Sequence, residues 1–351
     1  MKIEIWGTYP PPIGGVSIHI KRLIHSINTL NSVCLKNFSK YPYKGTSDYI
    51  INIHCALFEF ISLLWCKKKV IHIHSNSYIT FFAFLIFGQR HKLGITLHNQ
   101  RLGQSIPKIQ QTIVSSFFEK VQFIILNDEN YSKKIIKKYC IDTNKMYIIP
   151  AFIPPLNIER KGLPDSITDF KNSHKFLISS NASQLKKEKD IDIYGFDLLI
   201  DLTDKLVQKN VNVGIIFCLP VIGDPIYYKE CIEKIKNLAL NDHILIVNEN
   251  MDNGFEVWEA SDLFIRPTST DMEGISIKEA LFVGTPVIAS NVCKRANETI
   301  LFESRDIDDL FEKVYSFYKE ESKRKIIKKP LDILSTTVSI NNIYNNIISS
   351  S

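Results

Sequence analysis

The residues best suited to chemistry lie in Arg266-Pro-Thr-Ser-Thr-Asp-Met-Glu-Gly-Ile-Ser-Ile-Lys-Glu-Ala-Leu-Phe-Val-Gly-Thr-Pro-Val-Ile-Ala-Ser290. An apolar run at 263–266 reads as a strand, and Gly274 interrupts the loop behind it. A helix begins near Ser276 and ends at Gly284, and Pro286 precedes a second strand at 287–290. A glycine loop that opens a helix after a parallel strand presents backbone N–H groups and the positive end of the helix dipole, which together suit a diphosphate. Glu279, one turn into the helix, carries a carboxylate able to accept both hydroxyls of a ribose. The same spacing has a second meaning, because Ser276-Ile-Lys-Glu279 is also a capping box in which Glu279 only satisfies the amide of Ser276. Spacing alone leaves both open.

Two further segments carry candidate groups. In Tyr9-Pro-Pro-Pro-Ile-Gly-Gly-Val-Ser-Ile-His19, Gly14-Gly15 either lets the backbone approach a ligand or simply makes a tight turn from strand to helix. In Gly94-Ile-Thr-Leu-His98-Asn-Gln-Arg101, His98 stands at the C-terminal end of a strand, where parallel α/β folds place ligands. His54, His72, His74 and His91 are the other imidazoles considered, and His72 and His74 share one strand face and read as cleft lining. Asp190-Ile-Asp192 has a metal-holding spacing, but its neighbouring lysines make it a surface loop, and no other cluster has metal-ligand spacing. There is no nucleophile elbow, Walker loop or zinc-protease helix, and the Gly14-Gly15 loop lacks the Gly-x-Gly-x-x-Gly order of dinucleotide sites.

Elements must hold these residues. Short β-branched runs alternate with helical periodicity throughout, the pattern of βαβ units and parallel sheets. Strands are expected at 3–6, 49–54, 70–74, 94–98, 122–126 and 146–149, and then at 176–180, 213–217, 243–247, 263–266 and 287–290. Residues 150–155 and the polar stretch to about Lys175 read as a linker. Beyond Pro330, Ile340, Ile343, Tyr344 and Ile347 recur at helical spacing. The apolar run 79–88 is too short to span a bilayer and reads as a buried helix.

A chain of 351 residues is long enough for two domains, and 45 % hydrophobic with 23 % charged residues excludes wholesale disorder. Seven cysteines, at 34, 55, 66, 140, 218, 231 and 293, never form a Cys-x-x-Cys pair, which points to a reducing, cytoplasmic setting and against a disulfide framework or zinc site. The N-terminus has an acidic residue and no apolar signal core, so it reads as a first strand rather than an export sequence. Residues 1–160 hold 20 Lys and Arg against 8 Asp and Glu, whereas the rest hold 23 against 29. The basic half, with Lys67-Lys68-Lys69 and Lys133-Lys134 through Lys137-Lys138, suits phosphate groups or an anionic membrane surface, with solvated helix faces as the plain alternative.

Taken in order, these motifs resemble the retaining glycosyltransferases of family four (glycosyl transferases group 1), which have the GT-B fold. That family's signature is a glutamate, seven residues, a second glutamate, then small and apolar residues through Gly-x-Pro-Val-Ile-Ala-Ser. Glu279 matches the second glutamate, and Gly274, Ile275 and Ser276 match the loop whose amides hold donor phosphate and sugar. Asp271 stands where the first glutamate is usual, with Glu273 beside it as a carboxylate able to share the role. Gly14-Gly15 is similar to the family's loop beside phosphate and acceptor, and His98 to the histidine beside the donor sugar ring. Tyr194 occupies the usual lysine position, so the resemblance implies that Lys186, Lys187 or Arg266 neutralises the departing diphosphate.

The implied architecture is α/β, two Rossmann-like domains with parallel sheets facing across a cleft. It has an acceptor domain at 1–155, a nucleotide-sugar donor domain at 156–330, and a C-terminal helix at 331–351 crossing back onto the first. The implied activity is that of a hexosyltransferase that retains configuration, needs no metal or cofactor, and uses a UDP- or GDP-sugar. Its acceptor would be a saccharide, lipid-linked at the inner face of a bacterial membrane, as in O-antigen (lipopolysaccharide) or capsule synthesis; no nucleic acid is expected as partner. Alternatives are a nucleotide-sugar 2-epimerase of GT-B fold and a non-catalytic nucleotide-sugar-binding subunit.

Overall fold

The computed structural model describes residues 2–28, 32–156, 159–249, 251, 253–271, 274–320 and 334–349. The chain divides into two units, Met1–Ile153 with Asp332–Ser351, and Pro154–Leu331.

In the first unit the strands are β1 (Lys2–Gly7), β2 (Val33–Asn37), β3 (Ile50–Asn52), β4 (Lys69–Ile73), β5 (Lys92–Thr96), β6 (Phe123–Leu126) and β7 (Met146–Ile148). They form one wholly parallel sheet in the order β3-β2-β1-β4-β5-β6-β7. Parallel neighbours need crossover connections, supplied here by α1 (Gly15–Asn28), α2 (Ala56–Ser62), α3 (Tyr78–Phe87), α4 (Lys108–Lys120) and α5 (Glu129–Tyr139). Helices on both faces bury the strands on both sides, which is why they read as continuous apolar runs. One face packs Ile71, Ile73 and Ile95 under Phe81, Phe84 and Phe117; the other packs Ile3, Ile5, Val70 and Phe123 under Leu23, Ile24 and, from the last helix of the chain, Ile340, Ile343 and Tyr344.

The second unit begins with α6 (Asp165–Ser173). Its six-stranded parallel sheet contains β8 (Phe176–Asn181), β12 (Val213–Cys218), β14 (Ile244–Val247), β15 (Leu263–Arg266), β16 (Val287–Ser290) and β17 (Ile300–Phe302), in the order β14-β12-β8-β15-β16-β17. Two small ribbons, β9 (Gln184–Leu185) with β13 (Val221–Gly223) and β10 (Lys187–Glu188) with β11 (Ile191–Asp192), decorate it. The crossovers are α7 (Phe196–Gln208), α8 (Pro225–Asn237), α9 (Gly254–Ala260), α10 (Ile275–Phe282) and α11 (Ile307–Lys319), and the chain ends in α12 (Leu334–Ser349). Asp128, Asp224 and Asp306 start α5, α8 and α11 by accepting from first-turn amides, as short acidic side chains do.

Three sequence expectations are corrected. The run 79–88 is not buried: α3 buries only Phe81 and Phe84. The stretch read as linker contains α6, whose one buried residue, Ile167, gave too little periodicity to detect. Strands β2 and β17 were not expected; β2 is short and interrupted by Lys36, and β17 is three residues at the sheet edge.

Candidate active site

The strand order of the second sheet reverses between β8 and β15, and ligands of open α/β sheets bind where the carboxyl ends of such strands diverge. The loop behind β15 occupies that place. Arg266, the last residue of β15, donates through Nη1 to the backbone and side-chain oxygens of Asn181 at the end of β8 (3.0 and 2.9 Å). Its Nε donates to Asp271 at 3.2 Å. The buried Arg295 reaches the same carboxylate oxygen through Nη1 at 2.8 Å, and is itself fixed by the Ser290 carbonyl and the Thr268 hydroxyl. Burial alone would raise the Asp271 pKa, but the Arg266 and Arg295 guanidiniums outweigh it and hold it at about 2. Two guanidiniums set around one carboxylate leave the locality positive.

Gly274 caps α10 in the left-handed region, at φ 71°, with no side-chain cap bond. A Cβ there would stand 3.1 Å from Arg295 Nη1 and 3.2 Å from Asp271 Oδ2, so both backbone and space require glycine. The helix starts at Ile275, which places Ser276 inside its first turn rather than at the cap. The capping-box reading therefore fails, since it needs Ser276 in the cap position. Glu279 accepts instead from Trp258 Nε1 of α9 at 3.3 Å. Beside it the half-buried Lys278 is pulled down to a pKa of about 8 by burial. Guanidiniums, first-turn amides and a carboxylate one turn along make a set that can take a diphosphate and the hydroxyls attached to it.

The first sheet reverses between β1 and β4, and imidazoles gather near that point. His98 Nε2 lies 2.8 Å from His74 Nδ1, and His19 packs edge-on to His98 with ring centres 5.1 Å apart. His19 Nδ1 bonds the Ala151 carbonyl at 2.7 Å; because a carbonyl only accepts, the proton sits on Nδ1 and Nε2 is left as a buried acceptor with no partner among the described residues. His72 bonds Tyr344 Oη (2.6 Å) and Thr96 Oγ1 (2.7 Å) and is fully buried, so it is core and not cleft lining. Burial drives all four toward the neutral form, His19 to a pKa of about 4, His72 to about 3, and His74 and His98 well below the ordinary histidine value. Ligand-capable nitrogens of His19, His74 and His98 lie within 4.8 Å of one another, a spacing that suits either a transition-metal ion or a substrate oxygen.

Other expected residues fall as follows. Gly14 has no positive φ, and a Cβ on it would meet nothing within 4 Å among the described residues, so their packing does not demand glycine there. Gly15 is the first residue of α1, and Ser17 Oγ closes the turn by accepting from the Gly14 amide at 3.0 Å. Lys187 is directed to Glu230 at 2.9 Å and to the face of Tyr227, while Lys186 is exposed. Tyr194, in the place of the family's lysine, lies under the Arg266 guanidinium, 5.5 Å from ring centre to carbon. Glu273 lies outside the described residues. Asp192 is buried and accepts from the Tyr194 and Phe196 amides and the Tyr227 hydroxyl, a helix-start role, while Asp190 is exposed. Sequence reasoning missed Arg295, which sits in an aperiodic bend five residues past β16; only its charge marked it.

Two parallel α/β units of this kind make the fold of GT-B glycosyltransferases. Residues 166–330, just under half of the chain, match the profile of glycosyl transferases group 1. The alpha-monoglucosyldiacylglycerol synthase of Streptococcus pneumoniae is 24% identical over 191 residues, covering 52% of this chain and 40% of that protein, so the chain matches well under half of this relative's length. Among solved structures, Anabaena HepE in complex with UDP-glucose has a TM-score of 0.73 at 15% identity, and sucrose-phosphate synthase from Thermosynechococcus elongatus 0.75 at 13%, each aligned over 100% of both chains. At such identity the likeness speaks to fold.

Proposed function

We propose that this protein is a retaining hexosyltransferase that moves a sugar from a UDP- or GDP-sugar to a saccharide acceptor, lipid-linked at the inner face of a bacterial membrane, in surface polysaccharide synthesis. The observation that carries the reading is the Asp271 carboxylate clamped by Arg266 and Arg295 against the glycine-capped start of α10. In this reading the second unit holds the donor: Glu279 takes the ribose, Asp271 and the amides of Gly274, Ile275 and Ser276 take sugar and phosphate, and the two arginines stabilise the departing diphosphate. These guanidiniums supply the positive charge that a metal would otherwise bring, which supports transfer without metal or cofactor. The leaving phosphate takes the acceptor hydroxyl's proton on the same face it vacates, retaining configuration without a covalent enzyme intermediate, so catalysis is mostly orientation.

The first unit, with His98 and the Gly14-Gly15 backbone, receives the acceptor. A lipid-linked acceptor is supported by the basic first unit and by the lipid-glycosylating name of the pneumococcal relative, and a uridine donor by the HepE complex with UDP-glucose. The test is a thermal-shift screen of UDP-, GDP- and ADP-sugars: a donor at 100 times its Kd stabilises by about 2.7 kcal/mol, and Glu279→Gln or Asp271→Asn should abolish that shift. NMR of the product must show the donor's anomeric configuration, and an inverted linkage rejects the mechanism. Turnover should survive chelation; loss on chelation with recovery on added zinc would transfer a catalytic role to His19, His74 and His98.

A further inference from the structure

Helix α3 is the least expected surface of the molecule. Its ten residues, Tyr-Ile-Thr-Phe-Phe-Ala-Phe-Leu-Ile-Phe, include no charged side chain, yet Ile79, Phe82 and Ile86 recur along its outer side and stay exposed. Helix α2 buries none of its seven residues and adds Leu57 and Phe58, and the turn after it adds Leu64 and Trp65. Phe60 joins the two helices, its ring centre 5.0 Å from that of Phe84. Phe58 and Trp65 are each 74% exposed and Ile79 66%, so the most prominent side chains of this surface stand largely in water. Scattered exposed apolar residues need no explanation, but a grouped set of this size does.

The rim of the surface says what covers it. Lys67 and Lys68 follow Trp65 almost directly and are exposed. Arg90, just past α3 and also exposed, donates to the Leu64 carbonyl at 2.6 Å, which sets its guanidinium against the turn bearing Leu64 and Trp65. Glu59, the one carboxylate in α2 and α3, is held by Lys36 at 2.7 Å. A two-fold contact would pair this surface with itself, and its one helical carboxylate, already held by Lys36, offers these cations no counter-charge. An anionic lipid surface engages both features, aromatic and aliphatic side chains at the acyl boundary and Lys and Arg on the phosphates above it.

We propose that the α2–α3 face of the first unit docks on an anionic lipid bilayer, with Phe58, Trp65, Ile79 and Phe82 entering the headgroup–acyl boundary and Lys67, Lys68 and Arg90 contacting lipid phosphates. This assignment names the surface and makes its apolar side chains essential, and it stands apart from the donor chemistry. Trp65 is a built-in probe, because the other two tryptophans, Trp6 and Trp258, are buried. The full chain is mixed with vesicles of phosphatidylcholine alone or phosphatidylcholine with phosphatidylglycerol, some carrying acyl chains brominated near the headgroup. It should bind the mixed vesicles more tightly, in a salt-sensitive way, with Trp65 emission shifted to the blue and quenched by bromine. The triple variant Phe58→Ser, Trp65→Ser, Phe82→Ser should lose at least about tenfold in binding, and Trp65→Phe should keep binding while losing the quenching. Four results overturn the proposal: no preference for the mixed vesicles, bound protein whose Trp65 emission is unquenched, a triple variant that binds like the wild type, or a dimer in solution that the triple variant dissociates. The quenching measurement uses the unaltered chain, so a misfolded variant cannot decide the outcome.

Discussion

Lowering the pH from 7 to 5 should destabilise the first unit by about 4 kcal/mol through His19 and His72 alone. Burial holds these groups at about 4 and about 3 in the folded chain, whereas an unfolded histidine titrates near 6.5. The folded pKa values are depressed, so the unfolded chain takes up protons that the folded unit refuses. Stability present in full above pH 6.5 is therefore lost as the pH falls below that value, at about 1.4 kcal/mol per pH unit for each histidine, until the folded values near 4 and 3 are reached. Between pH 7 and 5 that amounts to about 2 kcal/mol each. His74 and His98 are lowered the same way and add in the same sense, and Arg22, beside His19, reinforces the direction. Hydrogen exchange of β4 and β5 peptides, corrected for the intrinsic pH dependence of exchange, reads the loss directly. His72→Gln, which can still bond Tyr344 and Thr96, should remove about one proton's worth of slope. Protection that stays flat from pH 7 to 5, or an unchanged slope in His72→Gln, refutes the reasoning.

Gly274→Ala should cost about 1–2 kcal/mol by forcing a side chain into left-handed backbone, and should weaken donor binding at least about tenfold by displacing the Asp271–Arg295 pair; unaltered melting and affinity contradict it. Arg295→Met leaves the half-buried Asp271 with Arg266 as its remaining guanidinium, and thermal denaturation should show a loss of about 3 kcal/mol. Tyr344→Phe removes the hydroxyl bonded to His72 and should lower the stability of the first unit by about 1 kcal/mol, with the donor-induced thermal shift of the second unit unchanged.

Much of this was legible in the residues. Each β-branched run read as a strand lies in one of the two parallel sheets, because strands covered on both faces must be apolar throughout. Short edge elements such as β17 escaped, since three residues carry no periodicity. At the candidate site the glycine and the carboxylates stood out, but spacing could not separate a capping box from a ligand site; that needed the backbone angle of Gly274, which moved the helix start by a residue. Arg295 was illegible because it meets Asp271 through tertiary folding at a separation of 24 positions and no local pattern announces it. The reading of α3 failed for an instructive reason: an all-apolar helix implies a dry environment, and sequence cannot say whether protein or something outside it provides one.

The return of α12 to the first unit has a consequence for biogenesis. Ile340, Ile343 and Tyr344 belong to the same apolar cluster as Ile3 and Ile5, so one side of that sheet is roofed jointly by α1 and by a segment translated only after the second unit. On the ribosome the whole of the second unit must emerge before the first can close, and the usual order, in which the domain made first matures first, is inverted. A nascent chain stalled short of α12 would offer chaperones and proteases a β-sheet with one side covered only in part, by α1.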